Sequence, residues 1–213
     1  MKHLIALGLL LLPVVATAAD RPNLLFLSID TLRADHVSSY GYGRLTTPTI
    51  DEIASNGMRF AQARSTAPWT LPSFATMFTG RYPTRHGAGA EGAVRNIADE
   101  VPRPMAPGIA TLAGTLRRSG YRTAAVTSNP YLEFGPLRDF QDVINKTVRA
   151  DRIGALARDW IVRESGRRQP WMLWVHFNDP HEPTMASDAR LRQLGFGDDI
   201  LDHPERAALE RWG

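Results

Sequence analysis

Two nearly unbroken apolar runs, each delivering a polar cluster at its end, constrain this chain more than any other feature. Asn23-Leu-Leu-Phe-Leu-Ser-Ile29 stops at Asp30, and Trp171-Met-Leu-Trp-Val-His-Phe177 runs into Asn178-Asp179-Pro180-His181. Short runs with little polar alternation suit strands buried on both faces of a parallel sheet. Between them the pattern alternates. Thr47-Pro48-Thr49 opens an amphipathic helix over 50–55, which Asn56-Gly57 halts, and 58–63 reads as a short strand. Residues 71–78 read as a helix with Thr70 at its N-cap, Pro72 in its first turn and Gly80 at its end. A helix over 109–118, a strand over 121–127 and a helix over 152–164 follow, while the Gly-, Pro- and Arg-rich stretch 81–107 predicts a long surface loop. The expected fold is α/β, a mainly parallel central sheet sandwiched by helices.

In such sheets ligands bind beyond the carboxyl ends of the strands. Asp30, Ser128 and the turn 179–181 all fall at predicted strand ends. A carboxylate at position 30 binds a cation, caps a neighbouring helix or pairs with an arginine such as Arg33. Asp35 and His36 read as solvated surface. Thr70 is open to two readings. Its hydroxyl caps the helix, or the helix's N–H groups and positive dipole end favour an alkoxide there that attacks sulfur or phosphorus beside a cation. His181, between Pro180 and Pro183, is an exposed loop residue, or it bonds an anionic oxygen and protonates a leaving group. His176, inside the strand, reads as buried and hydrogen-bonded.

Lys2 and His3, the apolar run from Leu4 to Val15 and Ala16-Thr17-Ala18-Ala19 describe a secretory signal peptide. Cleavage after Ala18 leaves 19–213 as the mature chain, with Ala19 the neighbouring alternative. The apolar run falls short of the roughly 20 residues that a spanning helix needs, so no stable membrane anchor is expected. Export to a periplasm or beyond the cell follows. The absence of cysteine excludes disulfides and a lipid-modified cysteine. At 43% hydrophobic and 22% charged residues the 213-residue chain has a globular profile with room for one sizeable core. The net charge of +3 comes from scattered arginines without a like-charge block, so no nucleic-acid partner is expected. Oligomeric state is left open.

These motifs form an ordered set. The segment from Arg21 to His36 resembles the opening strand and metal-binding turn of sulfatases, in the alkaline-phosphatase superfamily. Thr47 to Phe60 is similar to the family's next helix and strand. Thr70-Leu-Pro-Ser-Phe-Ala-Thr-Met-Phe-Thr-Gly-Arg81, continuing to Gly87, is similar to the sulfatase signature, and Gly120-Tyr-Arg-Thr123 and Asp179-Pro-His181-Glu-Pro183 follow in family order. By this resemblance Asp30 binds a divalent cation, calcium in typical sulfatases, with magnesium, manganese or zinc as alternatives. Thr70 stands in the nucleophile's place and touches that metal, and His181 contacts the sulfate or phosphate group of a small anionic ester. The implied activity is that of a metal-dependent sulfuric ester hydrolase.

The departures bear on the reaction. Threonine cannot yield formylglycine, because its β-carbon carries a methyl group, so none is expected at Thr70. The arginine four residues on is Phe74, the family's lysine and histidine after the next strand are replaced by Thr127-Ser128-Asn129-Pro130, and Thr31 stands where many sulfatases have a second aspartate. Ser128 or Asn129 is then the candidate for the missing substrate contacts. Threonine nucleophiles occur in relatives that cleave or transfer phosphate esters, so a phosphate or phosphonate ester hydrolase or phosphotransferase using Thr70 is the alternative. A non-catalytic relative is another. No Asp-His-Gly motif follows Pro183, since Asp202-His203-Pro204 has the wrong third residue and a helical sequel at 205–211. The expectation is therefore the N-terminal part of a catalytic domain, truncated at its C-terminus.

Overall fold

The computed structural model describes residues 21–90 and 101–181, with residue 192. The expected leader 1–18, Glu182-Pro183 and the helix expected at 205–211 lie outside the described residues. Among the described residues eleven regular elements, six strands and five helices, plus short 3-10 turns build the fold, and the alternation expected from sequence is present. Four parallel strands form the main sheet in the order β1-β6-β4-β5, with β1 at Leu24–Ile29, β4 at Arg122–Thr127, β5 at Asp142–Asn145 and β6 at Trp171–Phe177. The fold is α/β, with helices on both faces as expected.

The first face is covered by α2, Thr70–Thr79, and α4, Leu112–Arg118. Its core centres on Trp174, wholly buried, whose ring centroid lies 4.5 Å from Phe78, 5.1 Å from Phe74 and 5.9 Å from Phe140. Such tilted pairs add about 0.5–1.5 kcal/mol each beyond area burial. On the second face α5, Ala150–Glu164, sets Ile153, Ala157 and Trp160 against Ala124, Val126, Leu173 and Val175. The apolar triplet of α5 recurs at helical spacing (153, 157, 160), which is why one stripe of it faces the sheet. At the other end of this layer Arg122 pairs with Asp142 at 2.8 Å, and Trp160 Nε1 donates to the same carboxylate.

Four expectations need correction. The apolar run of β1 predicts burial on both faces, but among the described residues β1 pairs only with β6 and lies at the sheet edge, with Leu25 and Leu27 about half exposed. Apolar content reports that a strand is made to be covered, not which element covers it. Residues 58–63 are irregular chain with a turn at 61–62 rather than a strand, and Met58 and Phe60 are exposed. Among the described residues no strand pairs with this segment to accept its backbone bonds. The described parts of the stretch 81–107, residues 81–90 and 101–107, are not simply a surface loop. They hold α3 at Pro83–His86 and the small antiparallel pair β2, Gly89–Ala90, with β3, Pro102–Arg103. His86, Ala88 and Met105 are buried there. Strand β5 was not expected at all, because four residues with polar ends carry too weak an alternation to register.

Candidate active site

Strands β1, β6 and β4, neighbours in the sheet, deliver the residues that follow them to one place. Asp30 follows β1, Asn178 follows β6 and Asn129 follows β4 by two positions. The Asp30 N–H continues the ladder by donating to Phe177 O at 2.9 Å. Parallel strands in register end together, so residues 99 and 148 positions from Asp30 in the chain become its neighbours. The turn itself is strained. Thr31 has φ 51°, a left-handed conformation that a β-branched residue rarely adopts, and such outliers concentrate at functional sites.

Helix α2 brings the fourth component. Pro72 occupies the first turn, where no N–H is needed, and Gly80 ends the helix in the left-handed region at φ 64°. Phe74 and Phe78 seat it on the sheet, while Leu71 and Ala75 pack against Ala88 and Met105. Its first residue is thereby held over the strand ends. The N-cap position belongs to Trp69, which makes no side-chain cap bond, and Thr70 is the first helical residue. The capping alternative for Thr70 is replaced by a different contact. Its hydroxyl donates to Asp30 Oδ2 at 3.0 Å.

The same carboxylate oxygen accepts from Asn129 Nδ2 at 3.0 Å, and His176 Nε2 stands 3.4 Å from it. Burial pushes the Asp30 pKa up. The nearby His176 ring, the Thr70 hydroxyl and His181 together outweigh this and hold it below the usual carboxylate value. Asp30 is therefore an ionised acceptor that is largely buried. Of its three sequence readings, the pairing with Arg33 is not realised, because Arg33 turns to Asp35, and both are solvent-exposed as expected of that turn.

Asn129 reaches the site and Ser128 does not. Ser128 Oγ donates to Val148 O at 2.8 Å, away from Asp30. The two amide protons of Asn129 go to Asp30 and to Asn178 Oδ1 at 3.1 Å, and its Oδ1 accepts from Tyr131 N–H at 3.0 Å. Contact with a substrate would require it to give up one of these bonds. His181 sits on the turn after β6, anchored by its N–H to Asn178 O at 2.7 Å, with its imidazole within electrostatic reach of Asp30. Phe74, at the position of the sulfatase arginine, is core. Its ring packs 5.1 Å from Trp174 and 4.9 Å from His176.

Two residues of this centre escaped the sequence reading in their role. Asn178 reads in the sequence only as part of a turn, although its place directly after a buried strand matches that of Asp30. His176 reads in the sequence as a buried, hydrogen-bonded residue, and it is wholly buried, but one ring nitrogen faces Asp30. For a metal, the donor chemistry is suitable in kind. Asp30, the Thr70 hydroxyl and the Asn178 amide oxygen are hard oxygen ligands of the type that calcium or magnesium takes. In number they are incomplete, since no three His, Cys, Asp or Glu side chains gather to hold an ion among the described residues. The neutral Thr31 adds no second carboxylate.

Known proteins resemble this chain in sequence or in fold. A mouse steryl-sulfatase is 35% identical over 116 residues, which is 54% of this chain and 19% of that protein. The crystal structure of Ps i-CgsB in complex with k-i-k-neocarrahexaose superposes with a TM-score of 0.67 at 20% identity, covering 81% of this chain and 48% of that one. The phosphonate monoester hydrolase of Agrobacterium radiobacter gives 0.63 at 21% identity, covering 81% and 44%. The chain thus spans about a fifth of the length of the curated relative and just under half of the structural ones. The sulfatase family model matches residues 22–199, and the chain belongs to the sulfatase family.

Proposed function

We propose that the protein is a sulfuric ester hydrolase in which Thr70 is the nucleophile. The observation that carries this reading is the 3.0 Å bond from the Thr70 hydroxyl to the ionised Asp30 at the N-terminus of α2. Asp30 accepts the hydroxyl proton as the threonine oxygen attacks sulfur, an S–O bond forms, and the bond to the leaving alcohol breaks. His181 gives a proton to the departing oxygen. Water then cleaves the threonyl sulfate, with release of sulfate. The helix N-terminus stabilises the negative oxygens throughout. Asp30, Thr70 and Asn178 would hold a divalent cation, calcium first among the candidates, and when bound it would lower the cost of charge on the attacking oxygen. Any further ligands would come from outside the described residues.

Phosphate or phosphonate esters are the second reading. Thr70 cannot become formylglycine, and Phe74 leaves no arginine beside it, so the features that specialise a site for that chemistry are missing. The substrate in either case is a small anionic ester. The leader 1–18 supports export to the periplasm or outside the cell, and no helix among the described residues is long and apolar enough to cross a membrane. The test is hydrolysis of aryl sulfate against aryl phosphate by the full-length protein, with and without added calcium. Thr70→Ala should lower turnover by about 10³-fold or more. Full activity in that variant would remove Thr70 from the mechanism, and a preference for the phosphate ester would select the second reading.

A further inference from the structure

We propose that His176 is a positioning residue that holds the Asp30 carboxylate toward the Thr70 hydroxyl, an inference that rests on reading that pair as the reactive centre. The indole N–H of Trp174 donates to Ser28 Oγ at 2.9 Å. Ser28 has one hydroxyl hydrogen of its own and two acceptors in range, His176 Nδ1 at 2.9 Å and Val175 O at 3.4 Å. The shorter contact takes it. Nδ1 is then an acceptor, and the neutral ring carries its proton on Nε2. That nitrogen is buried, has no hydrogen-bond partner, and faces Asp30 Oδ2 at 3.4 Å.

A buried donor without a partner is unfavourable, and a carboxylate within a few tenths of an ångström of bonding distance is the group that relieves it. His176 cannot turn away. It is wholly buried, with Phe74 edge-on at 4.9 Å and the tilted indole of Trp174 at 5.9 Å. Trp174, Ser28 and His176 therefore form a fixed chain of donors ending at Asp30, on the side opposite the solvent. Asn129 restrains the same oxygen. Asp30 is left with one orientation, in which Oδ2 meets Thr70. A ring that served only to fill the core would need no such chain, and phenylalanine would replace it at no catalytic cost.

The experiment compares His176→Phe with His176→Gln in the full-length protein, since the glutamine amide reaches the place of Nε2 and phenylalanine preserves only the packing. We expect His176→Phe to lower kcat by about 10- to 100-fold with KM nearly unchanged, and His176→Gln to recover much of the loss. Nitrogen-edited NMR of the wild type should show His176 protonated on Nε2, with that resonance shifting in Asp30→Asn. A ring protonated on Nδ1, a resonance indifferent to Asp30→Asn, or wild-type turnover in His176→Phe each overturns the proposal. If the wild type hydrolyses neither ester, the functional reading fails, and the NMR measurement still decides the place of His176. It likewise decides if His176→Phe does not fold.

Discussion

Replacing Trp174 by phenylalanine should lower the stability of the chain by about 3 kcal/mol, and the figure follows from its surroundings. The indole is wholly buried at the centre of the first-face core, within 4.5–6.4 Å of the rings of Phe26, Phe74, Phe78 and Phe140. Loss of the second ring removes the equivalent of about two buried methylenes, or ~1.6 kcal/mol of transfer free energy. The neighbours cannot collapse fully onto the space, which adds a few tenths to about 1 kcal/mol for the residual cavity. The bond from Nε1 to Ser28 at 2.9 Å contributes about 1 kcal/mol net. Urea unfolding of the variant should show a lower midpoint at an unchanged slope, and its melting temperature should fall by roughly 6–12 °C. A loss under about 1 kcal/mol would refute the reasoning. It would mean that the indole is not the centre of the packing, or that the core repacks freely around a smaller ring.

The other stability predictions come from two places outside the active site. Gly135 has φ 149°, and a Cβ there would stand 2.4 Å from Met105 Cβ, whose own backbone N–H is tied to Phe134 O at 2.7 Å. Gly135→Ala should destabilise by about 2–4 kcal/mol in urea unfolding, from backbone strain and overpacking together. His86 is buried, and desolvation pulls its pKa below the ordinary 6.5. A depressed value means that the unfolded chain binds the proton first, so this stabilisation is complete above about pH 6.5 and declines as the pH falls through the folded value. The urea midpoint should therefore drop between about pH 7 and pH 5 in the wild type, and His86→Gln should flatten that part of the profile. An equal drop in the variant would assign the acid sensitivity to other groups.

The sequence by itself carried the strand-helix alternation and therefore the fold class, because periodicity and turn residues are local properties of the chain. It carried Asp30 and Thr70 as the candidates, because an acid after a buried strand and a hydroxyl at a helix start are visible without any partner. It also carried the family, through motifs kept in order from Arg21 to His181. What it could not carry was which groups meet. Asn129 and Ser128 are adjacent in the chain, and only the direction in which the backbone leaves β4 sends one to Asp30 and the other to Val148. The edge position of β1 depends on strand order, which a strand's own residues do not encode. His176 needed the register of two strands, since Ser28 and His176 face each other only because β1 and β6 pair in parallel at that step. Composition and spacing speak of one segment at a time, while a site at the ends of parallel strands is a property of three segments and a helix brought together by a shared core.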